Sequence, residues 1–373
     1  WDDGDAAAPL PADLPEPELA RVLAALRPHM LVDERGTTAL SEPEPVPAEV
    51  VLVVATSGST GAPKGVQLSA ATLEASARAG LSRIQARPGE RWLCCLPLHH
   101  IGGLQVLVRS RLLGSAPAVH ARFDPAAVAR ESGVTLTALV PTMLGRLLDA
   151  GVELSAFRRI LVGGGPLPAG LLARAEAAGA HVVQTYGTTE TAGGCVYDGL
   201  PLDGVDVSLG DGGRIRVKGP VLFSGYRRRP ELTAAALRDG WLLTDDLGRW
   251  SPDGRLQVLG RCDDVIVTGG RKVAAAEVAG LLAEHPAVAE AAVVGRADPD
   301  WGERVVAVVV AAGEPPTLEQ LRRFVAQHAA AFKAPRELVV VGTLPRLASG
   351  KLDRRALRDL LPGGPAVPGP GIG

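Results

Sequence analysis

TSGSTGAPKG, residues 56–65, directly follows the apolar run at residues 50–55. This stretch contains four hydroxyl side chains, three glycines and one lysine. Glycine lets backbone N–H groups close on phosphate oxygens, hydroxyl groups donate further hydrogen bonds, and lysine supplies a mobile positive charge. The stretch therefore predicts a loop that holds a polyphosphate. The candidate phosphate ligands are Thr56, Ser57, Gly58, Ser59, Thr60, Gly61 and Lys64.

The loop differs from the phosphate loop of nucleotide hydrolases. A Walker A loop has the pattern G-x-x-x-x-G-K-[ST]. Counted from Gly58, its last three positions hold Pro63, Lys64 and Gly65. Proline has no N–H group to donate, and glycine has no hydroxyl for Mg²⁺. A turn rich in glycine and serine is the alternative for this loop taken alone, so other motifs must decide.

Length and charge narrow the function classes. The chain has 373 residues and a net charge of −2, and at roughly 150 residues per domain this length predicts two or three folding units. Without a long basic run, a nucleic-acid or anionic-membrane partner has no support. The longest apolar runs, residues 50–55 and 305–312, have the length of strands and are too short for membrane insertion. Since the first segment is acidic and rich in Pro and Ala, unlike a secretory signal, we expect a cytoplasmic protein.

Neither cysteine nor histidine spacing indicates a metal site. The four cysteines, Cys94, Cys95, Cys195 and Cys262, show no C-x-x-C pattern and no companion histidines at metal-ligand intervals. A zinc site or a disulfide framework is not expected. Cys94 and Cys95 lie in an apolar stretch, which favours small buried side chains over a reactive thiol.

The order of the elements predicts an α/β fold. Strand-like and helical stretches alternate up to residue 184, and this alternation predicts a layered unit with a largely parallel sheet. From residue 205, short segments broken by Gly and Asp predict a small antiparallel or barrel-like β-subdomain. Residues 264–341 predict a compact α+β unit, and the Pro- and Gly-rich residues 362–373 are expected to be disordered.

Five further segments combine small and polar residues. Gly163-Gly164-Gly165 follows a predicted strand, where glycine permits close approach by a flat ring or a phosphate. Tyr186-Gly187-Thr188-Thr189-Glu190 brings together an aromatic face, two hydroxyls and a carboxylate. The other segments are Thr244-Asp245-Asp246, residues 260–264 with Gly269 and Gly270 behind them, and Ser349-Gly350-Lys351. Each segment alone could be a turn or a solvated charge, but their joint occurrence in this order argues for one shared site.

Together these motifs resemble the adenylate-forming superfamily of acyl-CoA synthetases, firefly luciferases and adenylation domains of nonribosomal peptide synthetases. The matches are residues 56–65 to its phosphate loop, 186–190 to its Tyr-Gly-x-Thr-Glu motif, 244–246 to its Thr-Gly-Asp motif with Asp245 replacing glycine, 261–264 to its hinge motif, and Lys351 to its C-terminal catalytic lysine. The resemblance implies a large N-terminal domain of layered α/β sheets with a small β-subdomain, residues 1–260. It also implies a mobile α+β C-terminal lid domain, residues 261–361.

The resemblance further implies a two-step reaction that uses ATP, Mg²⁺ and CoA. A carboxylate attacks the α-phosphate of ATP and releases pyrophosphate, and a thiol then attacks the acyl-adenylate and releases AMP. Because two anions meet in the first step, cations are needed where charge builds up. The implied roles are pyrophosphate binding by Lys64 and the loop hydroxyls, Mg²⁺ binding by Glu190, catalysis by Lys351 with Lys64, ribose binding by Asp246 and Arg261, and nucleotide binding by Gly163, Gly164, Gly165, Tyr186, Gly187, Thr188 and Thr189.

The second step requires access for the thiol to the carbonyl carbon that Lys351 first approaches. In the superfamily the C-terminal domain rotates about a hinge aspartate, which Asp263 matches. The rotation exchanges the lysine loop for the face that carries Gly269 and Gly270. The resemblance therefore implies a hinge at Asp263.

A further stretch, LPLHHIGGL at residues 96–104 followed by VLVRS at 106–110, bears on the acid. It resembles a Pro-Leu-Phe-His-x-x-Gly-Leu segment of o-succinylbenzoate–CoA ligases of menaquinone biosynthesis, with His99 replacing phenylalanine as in actinobacterial-type members. Such an acid has a second carboxylate that needs a buried donor or cation. Arg109 is the first candidate. The predicted substrate residues are His100, Gly102, Gly103, Arg109, Ser110 and Gly164, with His100 also counted as catalytic at the pocket or thiol entrance.

Other functions stay open at this point. One is a CoA ligase for another acid or a stand-alone adenylation protein that loads a carrier. Another is an inactive nucleotide-binding paralogue, because Asp245 replaces the usual glycine. The predicted partners are a small acid, ATP and CoA, without nucleic acid or membrane insertion, and a homodimer stays open.

Overall fold

The computed structural model describes residues 5–57, 63–346 and 352–361, without the side chains of Ser57 and Asp263. Gly58, Ser59, Thr60, Gly61 and Lys351 therefore lie outside the described residues, as does the predicted disordered tail at residues 362–373.

The helices and strands of the described ranges are as follows. The helices are α1 (Glu16–Leu26), α2 (Ala70–Arg83), α3 (Ile101–Leu112), α4 (Pro125–Arg130), α5 (Pro141–Asp149), α6 (Ala169–Ala177), α7 (Pro230–Ala236), α8 (Ala275–Leu282), α9 (Leu318–His328) and α10 (Arg354–Asp359). The strands are β1 (Met30–Asp33), β2 (Gly36–Ala39), β3 (Val50–Ser57), β4 (Pro63–Ser69), β5 (Trp92–Cys94), β6 (Ala118–Val119), β7 (Leu136–Leu139), β8 (Arg159–Val162), β9 (Val182–Thr188), β10 (Gly193–Tyr197), β11 (Leu200–Pro201), β12 (Asp206–Leu209), β13 (Arg214–Lys218), β14 (Gly225–Tyr226), β15 (Leu237–Arg238), β16 (Trp241–Trp250), β17 (Leu256–Arg261), β18 (Val265–Thr268), β19 (Arg271–Ala274), β20 (Val288–Asp298), β21 (Gly302–Ala311) and β22 (Glu337–Val340).

The chain forms two compact units. The first comprises Trp1–Gly164, Arg174–Thr244 and Trp250–Leu256, and the second comprises Gly165–Ala173, Asp245–Arg249 and Gln257–Gly373. The main segment of the second unit begins at Gln257, a few residues before the domain boundary that the sequence predicts after Gly260. That boundary stays a prediction. None of the helices in the described ranges has the length and apolarity needed to cross a membrane.

The first unit contains a seven-stranded sheet with the order β11-β10-β9-β8-β7-β5-β6. The strands from β6 to β9 pair in parallel, while β9, β10 and β11 pair antiparallel. All four residues of β7 are buried, as expected for a parallel strand that is covered on both faces. The predicted layered α/β architecture is confirmed.

A second sheet of this unit has the order β14-β4-β3, and its strands β3 and β4 flank the candidate phosphate loop in sequence. Strands β3 and β4 pair antiparallel, with Thr56 opposite Lys64 and Ser57 opposite Pro63. The predicted loop at residues 56–65 is therefore too long. Its first two residues belong to β3, and residues 63–65 belong to β4. Pro63 is tolerated since it is the first residue of its strand.

The predicted β-subdomain corresponds to a sheet with the order β12-β13-β16-β15, in which β17 also pairs with β16. Strand β16 contains Thr244, Asp245 and Asp246. The alternative interpretation of these residues as a turn is therefore wrong. Asp has a low intrinsic preference for strands, but pairing with the neighbouring strands outweighs it.

The second unit contains a sheet with the order β19-β18-β21-β20, and β22 pairs with β21 in parallel. Ala307 and Val309 of β21 share one apolar core with Val278 of α8 and Leu321 of α9, and all four side chains are fully buried. The helices therefore cover one face of this sheet. The predicted α+β C-terminal unit is confirmed, and its motion as a lid stays a prediction.

Glu90 and Arg158 form a well-enclosed ion pair in the first unit. Arg158 Nε and Nη2 donate to the two carboxylate oxygens of Glu90 at 2.6 and 2.7 Å, and the Glu90 side chain is 12 % exposed. Burial alone would raise the pKa of Glu90, but the hydrogen bonds from Arg158, from the Arg87 N–H group and from Thr135, together with the charge of Arg158, lower it. The ionised pair therefore stabilises the folded state.

We expect Glu90→Gln to lower the free energy of unfolding at pH 7 by about 2 kcal/mol, because Arg158 loses its charged partner. The pKa of Glu90 is lower in the folded state, so its contribution is complete above the ordinary value of 4.5 and is lost as the pH falls through the folded value. Thermal unfolding followed by circular dichroism between pH 7 and pH 3 measures this difference.

The matched control is Glu74→Gln, since the pair of Glu74 with Arg78 is exposed on α2. This change should leave the melting temperature almost unaltered. Equal melting temperatures for Glu90→Gln and the parent at pH 7 would contradict a stabilising role for Glu90.

Candidate active site

The flanks of the candidate phosphate loop are fixed by the β3–β4 pairing. Thr56 Oγ1 donates to the Lys64 carbonyl oxygen at 3.5 Å. The Lys64 ammonium lies 5.2 Å from the centre of the Tyr226 ring, a distance at which a cation is attracted to an aromatic face. The structure thus places one loop hydroxyl and the loop lysine on neighbouring strands. The positions of Gly58, Ser59, Thr60 and Gly61 lie outside the described residues.

The segment at residues 186–190 lies at the end of β9, and all five of its residues are half-buried. Gly187 lies so close to β10 that a Cβ atom there would be 2.0 Å from the Gly193 carbonyl oxygen. Glycine is therefore required at this position by the β9–β10 pairing, whether or not it also contacts a nucleotide. At the end of β9 the chain turns, and the Thr188 N–H group donates to Thr191 Oγ1 at 2.9 Å.

Glu190, the candidate Mg²⁺ ligand, is held through both its backbone and its side chain. Its carbonyl oxygen accepts from the Phe223 N–H group at 2.9 Å, and its Oε1 atom accepts from the Tyr226 hydroxyl at 2.8 Å. No group of three or more His, Cys, Asp or Glu side chains suitable for a metal occurs among the described residues. A carboxylate with one neutral donor suits Mg²⁺, which keeps several waters and shares few protein carboxylates.

Gly163 and Gly164 follow β8, as the sequence predicts. A Cβ atom at Gly163 would lie 2.2 Å from Thr185 Oγ1, so the backbone at Gly163 packs closely against β9. Gly164 has a φ angle of 77°, a conformation that side chains other than glycine rarely adopt. The two glycines have structural reasons of their own, and their contact with a nucleotide stays a prediction, as does that of Gly165.

Arg261 contacts both acidic residues of the β16 motif. Arg261 Nη2 donates to Asp245 Oδ2 at 3.5 Å, and Arg261 Nη1 lies 4.0 Å from Asp246 Oδ1. The Asp246 side chain is 14 % exposed, whereas that of Asp245 is 55 % exposed. Asp245, which replaces the glycine of the superfamily motif, is therefore more exposed to solvent than Asp246. The Asp246 carboxylate stays beside Arg261.

The hinge candidate Asp263 lies in the short 3₁₀ helix Cys262–Asp264. The next residue, Asp264, is buried and forms an ion pair with Arg354 of α10. This contact was not predicted from the sequence, because nothing in the local pattern links residues 264 and 354. Lys351, the predicted catalytic lysine, lies outside the described residues.

The candidate acid-binding segment begins with two adjacent histidines. The rings of His99 and His100 are 4.3 Å apart, and His100 directly precedes α3. Burial lowers the pKa of His99, although the charge of Asp13 opposes this effect, and the shift favours the neutral imidazole. A Cβ atom at Gly103 would lie 2.5 Å from the Pro97 carbonyl oxygen, and this close approach of α3 requires glycine.

Arg109 lies on the buried face of α3 and is only 4 % exposed. Its Nη2 atom donates to the Tyr197 hydroxyl at 3.1 Å, and its guanidinium carbon lies 5.5 Å from the centre of the Trp92 ring. Its Nε atom and the neighbouring Ser110 Oγ have no hydrogen-bond partner among the described residues. Within that part of the chain no carboxylate pairs with Arg109. A buried cation with only neutral partners is costly unless an anion joins it.

The buried cysteines carry none of this chemistry. Cys94, Cys95 and Cys195 are all buried. Burial raises the pKa of Cys95 to about 12, with a further contribution from Cys94. Such a thiol stays protonated at neutral pH and is a poor nucleophile.

Comparison with known proteins identifies the family. A model of the AMP-binding enzyme family matches residues 5–227, and a model of the AMP-binding enzyme C-terminal domain matches residues 277–351. A probable 2-succinylbenzoate–CoA ligase of Mycobacterium tuberculosis is 46 % identical over 360 residues, covering 91 % of this chain and 93 % of that protein. The chain belongs to the AMP-binding enzyme family.

Solved structures of AMP-binding enzymes agree with this family assignment. The o-succinylbenzoate CoA synthetase (MenE) of Bacillus subtilis in complex with the acyl-adenylate intermediate OSB-AMP is 35 % identical, with a TM-score of 0.77 over 83 % of this chain and 69 % of that chain. The same synthetase in complex with ATP and a magnesium ion is 34 % identical, with a TM-score of 0.76 over 86 % of this chain and 73 % of that one. The predicted superfamily, the mixed α/β fold and the class of AMP-forming ligases are confirmed.

The sequence did not indicate the residues that support the AMP-binding motifs. Phe223 and Tyr226 contact Glu190 from a segment that is distant in sequence, and Tyr226 also contacts Lys64. The sequence offered only one indication that Tyr226 matters, namely that it is one of just three tyrosines in the chain. That signal does not identify a partner.

Proposed function

We propose that this AMP-binding enzyme joins o-succinylbenzoate to CoA in menaquinone biosynthesis, with ATP as the energy source and Mg²⁺ as the cofactor. The observation that carries the proposal is the 46 % identity to the mycobacterial ligase over 91 % of the chain. The acyl-adenylate and ATP–magnesium complexes of the Bacillus synthetase support both the acid and the cofactors.

In the first step, a carboxylate oxygen of the acid forms a bond to the α-phosphorus, and the bond from that phosphorus to the bridging oxygen breaks. Pyrophosphate leaves with the electron pair. Lys64 and the loop hydroxyls stabilise the leaving pyrophosphate, because positive charge and N–H or O–H donors lower the energy of developing negative charge. Glu190 would hold Mg²⁺, and the bound cation would supply further charge neutralisation at the phosphates.

In the second step, the sulfur of CoA bonds to the acyl carbon, and the bond from that carbon to the adenylate oxygen breaks. AMP leaves with the oxygen that came from the acid. We assign Asp246 and Arg261 to the ribose, Tyr186 with Gly163, Gly164 and Gly165 to the adenine, and Asp263 to the hinge. A cytoplasmic location is a further part of the proposal, and a homodimer stays open.

The second carboxylate of o-succinylbenzoate distinguishes it from simple aromatic acids, and we assign it to Arg109. The support is the burial of a guanidinium whose described partners are a hydroxyl and an aromatic ring, both neutral. An anionic substrate group would compensate this charge. We assign His100, Gly102 and Gly103, at the start of the helix that carries Arg109, to the same acid.

A CoA ligase for another acid remains the second candidate, together with a protein that loads a carrier. Exchange of labelled pyrophosphate into ATP, measured with a panel of acids, separates these functions from an inactive nucleotide-binding protein. We expect exchange with o-succinylbenzoate and thioester formation when CoA is added. Exchange without a CoA thioester would favour carrier loading, and no exchange with any acid would contradict enzymatic activity.

We expect Arg109→Met to lower kcat/KM for o-succinylbenzoate about 30- to 100-fold relative to benzoate, because one charge-assisted contact is lost. The folded state should tolerate the change, since methionine replaces a buried cation by an apolar side chain of similar length. Initial rates of pyrophosphate release with each acid measure the ratio. Arg111→Met, on the same helix but exposed, is the matched control, and an unchanged ratio in Arg109→Met would remove Arg109 from this role.

We expect Lys351→Ala to slow adenylate formation by about 10² or more, because the lysine bridges the two anions that meet in the first step. Thioester formation from supplied acyl-adenylate should proceed at the parent rate. The two half-reactions are measured separately in single-turnover experiments. Lys218→Ala, which removes an exposed lysine of β13, controls for loss of charge, and equal losses in both half-reactions would refute this division of labour.

A further inference from the structure

The segment at residues 222–227 forms hydrogen bonds both to β4 and to the turn that carries Glu190. Its backbone contacts are Phe223 N to Glu190 O at 2.9 Å, Ser224 N to Gln67 O at 2.9 Å and Arg227 N to Gly65 O at 2.7 Å. In addition, Thr72 Oγ1 of α2 donates to the Leu222 carbonyl oxygen at 3.2 Å. The segment therefore has a fixed position relative to β4, which carries Lys64, and to the turn that carries Glu190.

Tyr226 is in turn held in place within this segment. Its N–H group donates to Thr233 Oγ1 at 2.9 Å, and its ring packs edge-to-face against Phe223 with the ring centres 4.8 Å apart. Strand pairing sets its direction, since Tyr226 lies opposite Val66 in the β14–β4 ladder. Lys64 is two residues from Val66 and so points to the same face of β4.

The side chain of Tyr226 contacts the two charged groups of the site at once. Its hydroxyl donates to Glu190 Oε1 at 2.8 Å, and the Lys64 ammonium lies 5.2 Å from its ring centre. A neutral donor to a carboxylate fixes its orientation without cancelling its charge. An aromatic ring likewise attracts an ammonium group while leaving its N–H donors available to an anion.

We propose that Tyr226 is a positioning residue that orients the Glu190 carboxylate toward the bound cation and steadies Lys64 for the pyrophosphate. The inference rests on the proposed function for the roles of Glu190 and Lys64. It predicts that loss of the hydroxyl weakens the cation-dependent part of nucleotide binding and spares the rest. Hydrogen-bond partners of metal-binding side chains commonly have this effect.

The test compares the parent enzyme with Tyr226→Phe, which removes one hydroxyl and keeps the ring beside Lys64. ATP binding is measured by isothermal titration calorimetry without acid, across a series of Mg²⁺ concentrations and in EDTA. We expect the half-saturating Mg²⁺ concentration to rise about tenfold, with equal ATP affinity of the two proteins in EDTA. Pyrophosphate exchange with o-succinylbenzoate should show the same shift in Mg²⁺ dependence.

Tyr197→Phe is the matched control, because it also removes a tyrosine hydroxyl of the first unit, one that contacts Arg109 instead of Glu190. In ATP binding measured without acid, its Mg²⁺ dependence should match that of the parent. Superimposable Mg²⁺ curves for Tyr226→Phe and the parent would overturn the inference, and so would an equal loss of ATP affinity in EDTA. If the parent binds Mg²⁺–ATP but exchanges with no acid, the proposed function fails while the binding curves still decide the role of Tyr226.

Discussion

The antiparallel pairing of β3 with β4 is the constraint on which the candidate site depends. It brings Thr56 opposite Lys64 and Ser57 opposite Pro63, so both ends of the glycine-rich loop leave from the same end of a hairpin. Val54 and Val66, which face each other in this pairing, are almost completely buried. Strand β14 then pairs with β4 and adds Tyr226 beside Lys64. Burial of the hairpin thus fixes the charged groups at its end.

The chemistry that we propose explains why charges are distributed in this way. A carboxylate and a triphosphate repel each other, so the enzyme must supply positive charge before the reaction begins. In the proposed mechanism Lys64 supplies this charge, and the carboxylate of Glu190 attracts a divalent cation. Arg109, buried among neutral groups, has the charge required by a second carboxylate of the acid. A buried cation would be costly without such a ligand.

The sequence predicted the strands and motifs better than it predicted their supporting contacts. Strands such as β7 and β8 were predictable because they are largely apolar runs between helical stretches. The position of Asp246 within a strand was not, since pairing with distant strands outweighs local preference. The contact between Tyr226 and Glu190 joins residues 36 positions apart, and no local pattern encodes it. Glycines such as Gly103 were predicted to contact substrate, whereas the structure shows that close backbone packing also requires them.

The proposed function depends on direct attack of the acid on the α-phosphate of ATP, followed by transfer of the acyl group to CoA. It is tested with o-succinylbenzoate that carries ¹⁸O in both carboxylates, with mass spectrometry of the nucleotide product. We expect AMP with one ¹⁸O atom, because the attacking oxygen stays on phosphorus when sulfur displaces it from the acyl carbon. Formation of unlabelled AMP, or of ADP with phosphate, would refute direct attack.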